Sequence, residues 1–171
     1  PAFAHAYVAQ ELAGCLVDGQ TVVVCPGATG GALEFRAIWD RAGCRSKVRL
    51  CETNSLFYAA RAQDAVATIS GVKDELSLAA LPAQDTQAII DDLSDVYPQL
   101  IPAANVLETS LNNMNTVVHP LPVLLNAGSI ERGEKFRHYF DGITPAVGEV
   151  VEQMDRERVA VGRAYGLDIL S

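Results

Sequence analysis

Apolar and polar positions alternate along this chain in two regimes, mixed strand and helix at first and helix alone afterwards. In the alanine-rich stretch from His5 to Leu16, Val8, Leu12 and Leu16 recur every four residues and form one stripe of a helix that Asp18-Gly19 ends. Thr21-Val-Val-Val-Cys25 is a β-branched run suited to a buried parallel strand. The turn Pro26-Gly27-Ala-Thr29-Gly30-Gly31 follows, and then a helix through Leu33, Arg36 and Asp40 that stops at Gly43. Lys47-Val-Arg-Leu-Cys51 is a second strand, so the segment reads as a βαβ unit. Leu56–Ala62, Ala65–Val72 and Glu75–Leu81 read as three further strands, and Asp85 to Tyr97, with Ile89, Ile90, Leu93 and Val96 on one side, as a helix packed by one face.

Pro98 to Ala103 reads as the change of domain, which divides the chain into 1–103 and 104–171. Beyond it the period is helical. Leu107, Leu111, Met114 and Val118 make an apolar stripe, and Glu108, Asn112, Asn115 and His119 make a polar ribbon one position along. That ribbon suits a cleft-lining helix or a solvated face equally. His119 is followed by Pro120, which lacks an N–H and is expected to push His119 out of helical dihedrals, placing a kink at the one polar residue of an apolar stretch. Thr144-Pro145 is an N-cap followed by proline at the first helical position. A long amphipathic helix is expected from there to Gly166.

Composition narrows the function classes. A net charge of −8 excludes the positive footprint of a nucleic-acid binder. No window holds the roughly 18 uninterrupted apolar residues of a membrane span, and without a signal-peptide pattern the expected setting is the cytoplasm. Cys15, Cys25, Cys44 and Cys51 fit neither zinc knuckles nor a CxxC pair and are expected to be buried free thiols. His5, His119 and His138 form no helical pair, so no metal site is expected. The opening on Pro1 rather than Met suggests a processed or truncated chain.

Chemistry concentrates at four places. Gly27, Gly30 and Gly31 would let a ligand approach the backbone at a strand's carboxyl end, or would serve only tight turning, since the spacing is neither GxGxxG nor a Walker loop. Glu52-Thr53-Asn54-Ser55 gathers polar groups at the next strand end, where turn residues are needed in any case. Arg132, Lys135, Arg137 and His138 form a small basic cluster that suits a carboxylate or a solvated loop. His119 is the side chain able to exchange a proton near pH 7 without a large pKa shift; a capping or core histidine is the alternative.

Three of these segments together, Val22–Phe35, Glu52–Arg61 and Asn115–Pro120 with Leu124–Gly128, resemble the octopine/nopaline (opine) dehydrogenase family. The resemblance implies an NAD(P)-dependent oxidoreductase with a Rossmann-type α/β segment, here lacking its first βαβ, followed by an all-α helical domain. It implies reductive condensation of an amino acid with a 2-oxo acid, both small-molecule substrates. His119 matches the family's catalytic histidine and would be the general acid/base, with Asn115 and Asn126 as orienting partners. Pro26, Gly27, Thr29, Gly30, Glu52, Thr53 and Asn54 would face the NAD or NADP cofactor. The pyrophosphate-binding GxGxxG turn is missing, as is a downstream aspartate that pairs with the histidine. The chain is therefore expected to be a fragment with little turnover alone, and a homodimer is one expected form, because a half sheet and half bundle would expose apolar surface. A related hydroxy-acid or ketopantoate-type dehydrogenase and a cofactor-free module remain as alternatives.

Overall fold

The computed structural model describes residues 2–171, which form two compact units, one up to Ser110 and the other from Leu111 to Ser171. The first unit is built on a four-stranded sheet of order β1-β2-β5-β6, with β1 at Thr21–Val24, β2 at Arg49–Thr53, β5 at Leu76–Leu81 and β6 at Leu100–Pro102. β1 and β2 are parallel, β5 runs antiparallel to β2, and β6 is parallel to β5. β6 lies inside the Pro98–Ala103 stretch, where two prolines mask any strand period; the position at the sheet edge tolerates Pro102.

Period-two alternation gives each face of the sheet its own core. On one side Val24, Leu50 and Ala79 meet Phe35, Ile38 and Trp39 of helix α2 (Gly31–Ala42) and Ala9 of helix α1 (His5–Ala13). Trp39 Nε1 donates to Ala9 O at 3.0 Å, which pins the two helices together. On the other side Cys51, Leu76, Leu78 and Ala80 pack on Ile89 and Ile90 of α3 (Thr86–Leu93). A fully buried leucine such as Leu50 contributes about 1.5–3 kcal/mol relative to exposure.

The strands expected between Leu56 and Val72 exist as β3 (Tyr58–Gln63) and β4 (Val66–Val72), but they pair only with each other, as a separate antiparallel ribbon. Nearly all of their residues are exposed, because a two-stranded ribbon that pairs with nothing else has no partner layer to bury a face against. The cysteines also depart from expectation: only Cys51 is buried, while Cys15 is exposed and Cys25 and Cys44 are half-buried. Burial pushes the Cys51 thiol up to about 12, so it stays protonated and unreactive.

The second unit is helical: α5 (Asn115–Val118), α6 (Pro120–Leu125), α7 (Ala127–Glu131) and α8 (Pro145–Ala164), preceded by the last residue of α4 (Val106–Leu111). Thr144 caps α8 as expected, its hydroxyl accepting from Val147 N. Arg158 is buried on α8 and neutralised there. Its guanidinium pairs with Asp155 at 2.6 Å and donates to the carbonyls of Leu111 and Leu170. Among the described residues no helix is long and apolar enough to cross a membrane.

The continuous stripe expected from Leu107 to Val118 is absent. The chain leaves the helix after Leu111, and the side chains that turn inward are Val106, Thr109, Ser110, Asn113 and Val117. Three of those five are polar, so hydrophobicity alone picks the wrong face. Asn113 explains the break: its Oδ1 accepts from Asn115 N at 3.1 Å and restarts the helix as α5.

Candidate functional site

The residues singled out by the sequence fall into two groups, one in each unit. In the first unit, Glu52 lies one residue before the end of β2 with its side chain completely buried. Its Oε2 accepts from Ala32 N at 2.8 Å; its Oε1 accepts from Thr109 Oγ1 at 2.7 Å and from Ser110 Oγ at 2.9 Å. Ser110 Oγ in turn accepts from Gly30 N at 2.9 Å. A single carboxylate thus ties the glycine turn, the start of α2 and the end of α4 together.

Glycine is required at two places in that turn. A Cβ on Gly27 would stand 2.4 Å from the carboxyl carbon of Glu52, so the turn lies directly on the acid. Gly30 caps α2 with φ +83°, the left-handed region. Gly27 N also donates to Thr53 O at 2.9 Å, joining the turn to the end of β2. Thr53 is fully buried and spends its hydroxyl on Ser55 O. Asn54 differs from its neighbours: its Oδ1 is buried without a donor. Pro26 is half-buried and Thr29 exposed.

In the second unit the chain breaks at the expected place, between α5 and α6, with His119 at the junction and Pro120 opening the next helix. His119 nevertheless keeps right-handed helical dihedrals (φ −99°, ψ −53°), so the proline offsets the helix without expelling the residue before it. The ring is exposed, and Nε2 lies 2.8 Å from Tyr139 Oη. His138 is edge-on to both rings, with centroids 6.1 Å from His119 and 4.7 Å from Tyr139, and its Nε2 is buried without a partner.

Asn126 does not reach His119. Its Nδ2 donates to Pro122 O at 2.7 Å and Gly142 O at 2.8 Å, joining the end of α6 to the loop that carries Tyr139. Asn115 is exposed at the start of α5. The basic cluster is largely neutralised: Arg132 pairs with Glu134 at 2.6 Å, and Asp141 takes the backbone N–H and guanidinium of Arg137.

Those bonds from Arg137 hold the Asp141 carboxyl down to about 2, against an ordinary 3.8. A depressed folded-state value favours folding above pH 3.8, and that contribution disappears as pH falls through about 2. Asp141→Asn is therefore expected to speed amide exchange in the 137–142 loop at neutral pH. The difference from the parent should close as pH drops through that window. Equal exchange in the two proteins at neutral pH would show that the ion pair does not hold the loop.

Thr109, Ser110 and Tyr139 are the site residues that sequence reasoning missed. Thr109 and Ser110 are separated from Glu52 by 57 and 58 positions, and neither carries a motif. Tyr139 follows the basic cluster directly and carries no motif of its own.

Residues 102–171 match the family described as NAD/NADP octopine/nopaline dehydrogenase, alpha-helical domain. All of this chain is similar to the opine dehydrogenase of Arthrobacter sp. (strain 1C), at 41% identity over 172 aligned positions that make up 48% of that protein. The chain spans about half the length of that curated relative. Among solved structures, NADP+-bound yersinopine dehydrogenase matches 99% of this chain with 44% of its own (TM-score 0.83, 18% identity). Octopine dehydrogenase with NADH and L-arginine matches 96% with 42% of its own (TM-score 0.66, 22% identity). At those identities the likeness concerns the fold, an α/β segment followed by a helical one.

Proposed function

We propose, from the match of residues 102–171 to the octopine/nopaline dehydrogenase helical-domain family and of the whole chain to an opine dehydrogenase, that it works in an NAD(P)H-dependent oxidoreductase joining an amino acid to a 2-oxo acid. Residues 1–103 would contribute to the dinucleotide-binding domain and 104–171 to the helical one, in the cytoplasm. The observation that carries the reading is His119, an exposed imidazole at the junction of two helices with one ring nitrogen held by Tyr139.

The first unit suits one end of a dinucleotide. A pyrophosphate does not fit the Gly27–Gly31 turn, because Ala32 N is already taken and the buried carboxylate of Glu52 repels phosphate. An amide group fits better: Asn54 Oδ1 is a buried acceptor lacking a donor, as a carboxamide N–H would supply, and Thr29 is open beside the turn. Pro26, Gly27, Gly30, Glu52 and Thr53 would shape this edge from beneath. Bound nicotinamide supplies the hydride.

His119 would move the proton. Condensation of an amine with a carbonyl requires protonating the departing oxygen as water is lost, and the reverse oxidation requires a base to take that proton back. An imidazole can do both near pH 7, its protonated form as the acid and its neutral form as the base. Asn126 would act on His119 only through the Gly142 loop, and Asn115 from the exposed start of α5.

The test is NAD(P)H oxidation by the native protein with pyruvate, with and without a panel of amino acids. Oxidation that depends on an amino acid supports this function. Oxidation of equal rate without one points to a hydroxy-acid-type dehydrogenase, and none with either cofactor points to a non-catalytic module.

A further inference from the structure

We infer that Tyr139 is a positioning residue for His119, which fixes the imidazole in its Nδ1–H tautomer and leaves Nε2 as the nitrogen that receives the proton. The inference rests on the reading of His119 as general acid/base and adds the group that orients it. The 2.8 Å separation of Nε2 and Oη is a hydrogen bond, and only one of the two atoms can carry the proton between them. A phenol, with an ordinary pKa near 10, is a far better donor than the N–H of a neutral imidazole, and an imidazole nitrogen is the better acceptor. The tyrosine O–H therefore donates, Nε2 accepts, and the ring's own proton stays on Nδ1.

The phenol is held where it can do this. Asp141 closes the loop on Arg137, Gly142 N bonds to Arg137 O, and Asn126 clamps Gly142 O to the end of α6. Gly142 leaves no room for slack, since a Cβ there would stand 2.5 Å from His138 O. His138 stands edge-on to both rings of the pair. When His119 acts as base, Nε2–H forms as the substrate's O–H or N–H bond breaks, and the phenol, released from Nε2, turns its O–H to solvent. When it acts as acid, the same protons move in reverse. Oη lies within reach of solvent, with Tyr139 54% exposed.

The test is the ring-nitrogen 15N spectrum of the native protein at about pH 8.5, where ordinary histidines are neutral. The spectrum is expected to show His119 with a protonated Nδ1 and an unprotonated Nε2. Tyr139→Phe is expected to lose that preference, while His138→Phe, which keeps the edge-on packing, retains it. In turnover, Tyr139→Phe should lower kcat about tenfold with little change in KM for the cofactor, the size of one hydrogen bond. A parent spectrum with the proton on Nε2, or a tautomer unchanged in Tyr139→Phe, overturns the inference, and the parent spectrum decides even if the variant fails to fold. Should the tautomer behave as stated while His119 variants turn over normally, the functional reading fails and the pairing stands.

Discussion

His119→Asn in the native protein is expected to lower kcat for the amino-acid-dependent reaction by about 10²–10⁴-fold, the usual worth of a positioned acid/base. The variant should fold as the parent does. The ring is exposed at a helix junction and makes one hydrogen bond, so its loss falls in the class of surface changes worth under about 0.5 kcal/mol. KM for the cofactor should hold as well, because Asn54, Thr29 and the glycine turn belong to the other unit. Steady-state kinetics with a thermal melt on the same preparation check both parts. A fall in kcat accompanied by a large drop in melting temperature would assign His119 to structure.

Glu52→Ala is expected to do the opposite: to cost the first unit about 3–5 kcal/mol and to disable the site only as a consequence. Removal leaves Ala32 N and Ser110 Oγ buried without their acceptor, at about 1–3 kcal/mol each, and opens a cavity beneath the turn. Thr109 suffers less, since its hydroxyl also reaches Val106 O at 3.1 Å. Glu52→Gln keeps the volume and one acceptor oxygen and should lose a smaller part. Gly27→Ala should resemble Glu52→Ala, because its Cβ would need the space of the carboxylate. Urea unfolding measures all three; a loss below about 1 kcal/mol for Glu52→Ala would show that the network carries little of the unit's stability.

The elements that sequence made legible are those with a strong period or punctuation. β1, α2, β2 and α8 lie within a few residues of their expected ends, because β-branched runs, Gly43 and Thr144-Pro145 act locally. β6 was hidden by its prolines, and the separation of the β3–β4 ribbon from the main sheet is a question of pairing that no single strand encodes. The helix after Ala103 misled for a different reason: Thr109, Ser110 and Asn113 are buried because Glu52 and the start of α5 need their hydrogen bonds, which reverses the usual sorting by polarity. Glu52 and Asn126 were visible as polar residues at strategic places, but the structure gives their side chains to backbone and hydroxyl partners, all but Pro122 O lying 16 to 58 positions away. The helix break at His119-Pro120 could be foreseen from the missing N–H of proline, although His119 keeps the helical dihedrals that the proline was expected to remove. The pairing of His119 with Tyr139, twenty positions on and beyond α6 and α7, could not, since the loop after α7 is closed by the Arg137–Asp141 and Asn126–Gly142 bonds.

The central claim, that one imidazole at the α5–α6 junction carries the proton, is tested most directly by chemical rescue. The ring lies open to solvent, so free imidazole can reach the space left by His119→Ala. Amino-acid-dependent NAD(P)H oxidation by that variant should be nearly abolished and should rise with added imidazole, while the parent does not respond. Turnover by His119→Ala at the parent rate, with no imidazole added, would contradict the claim.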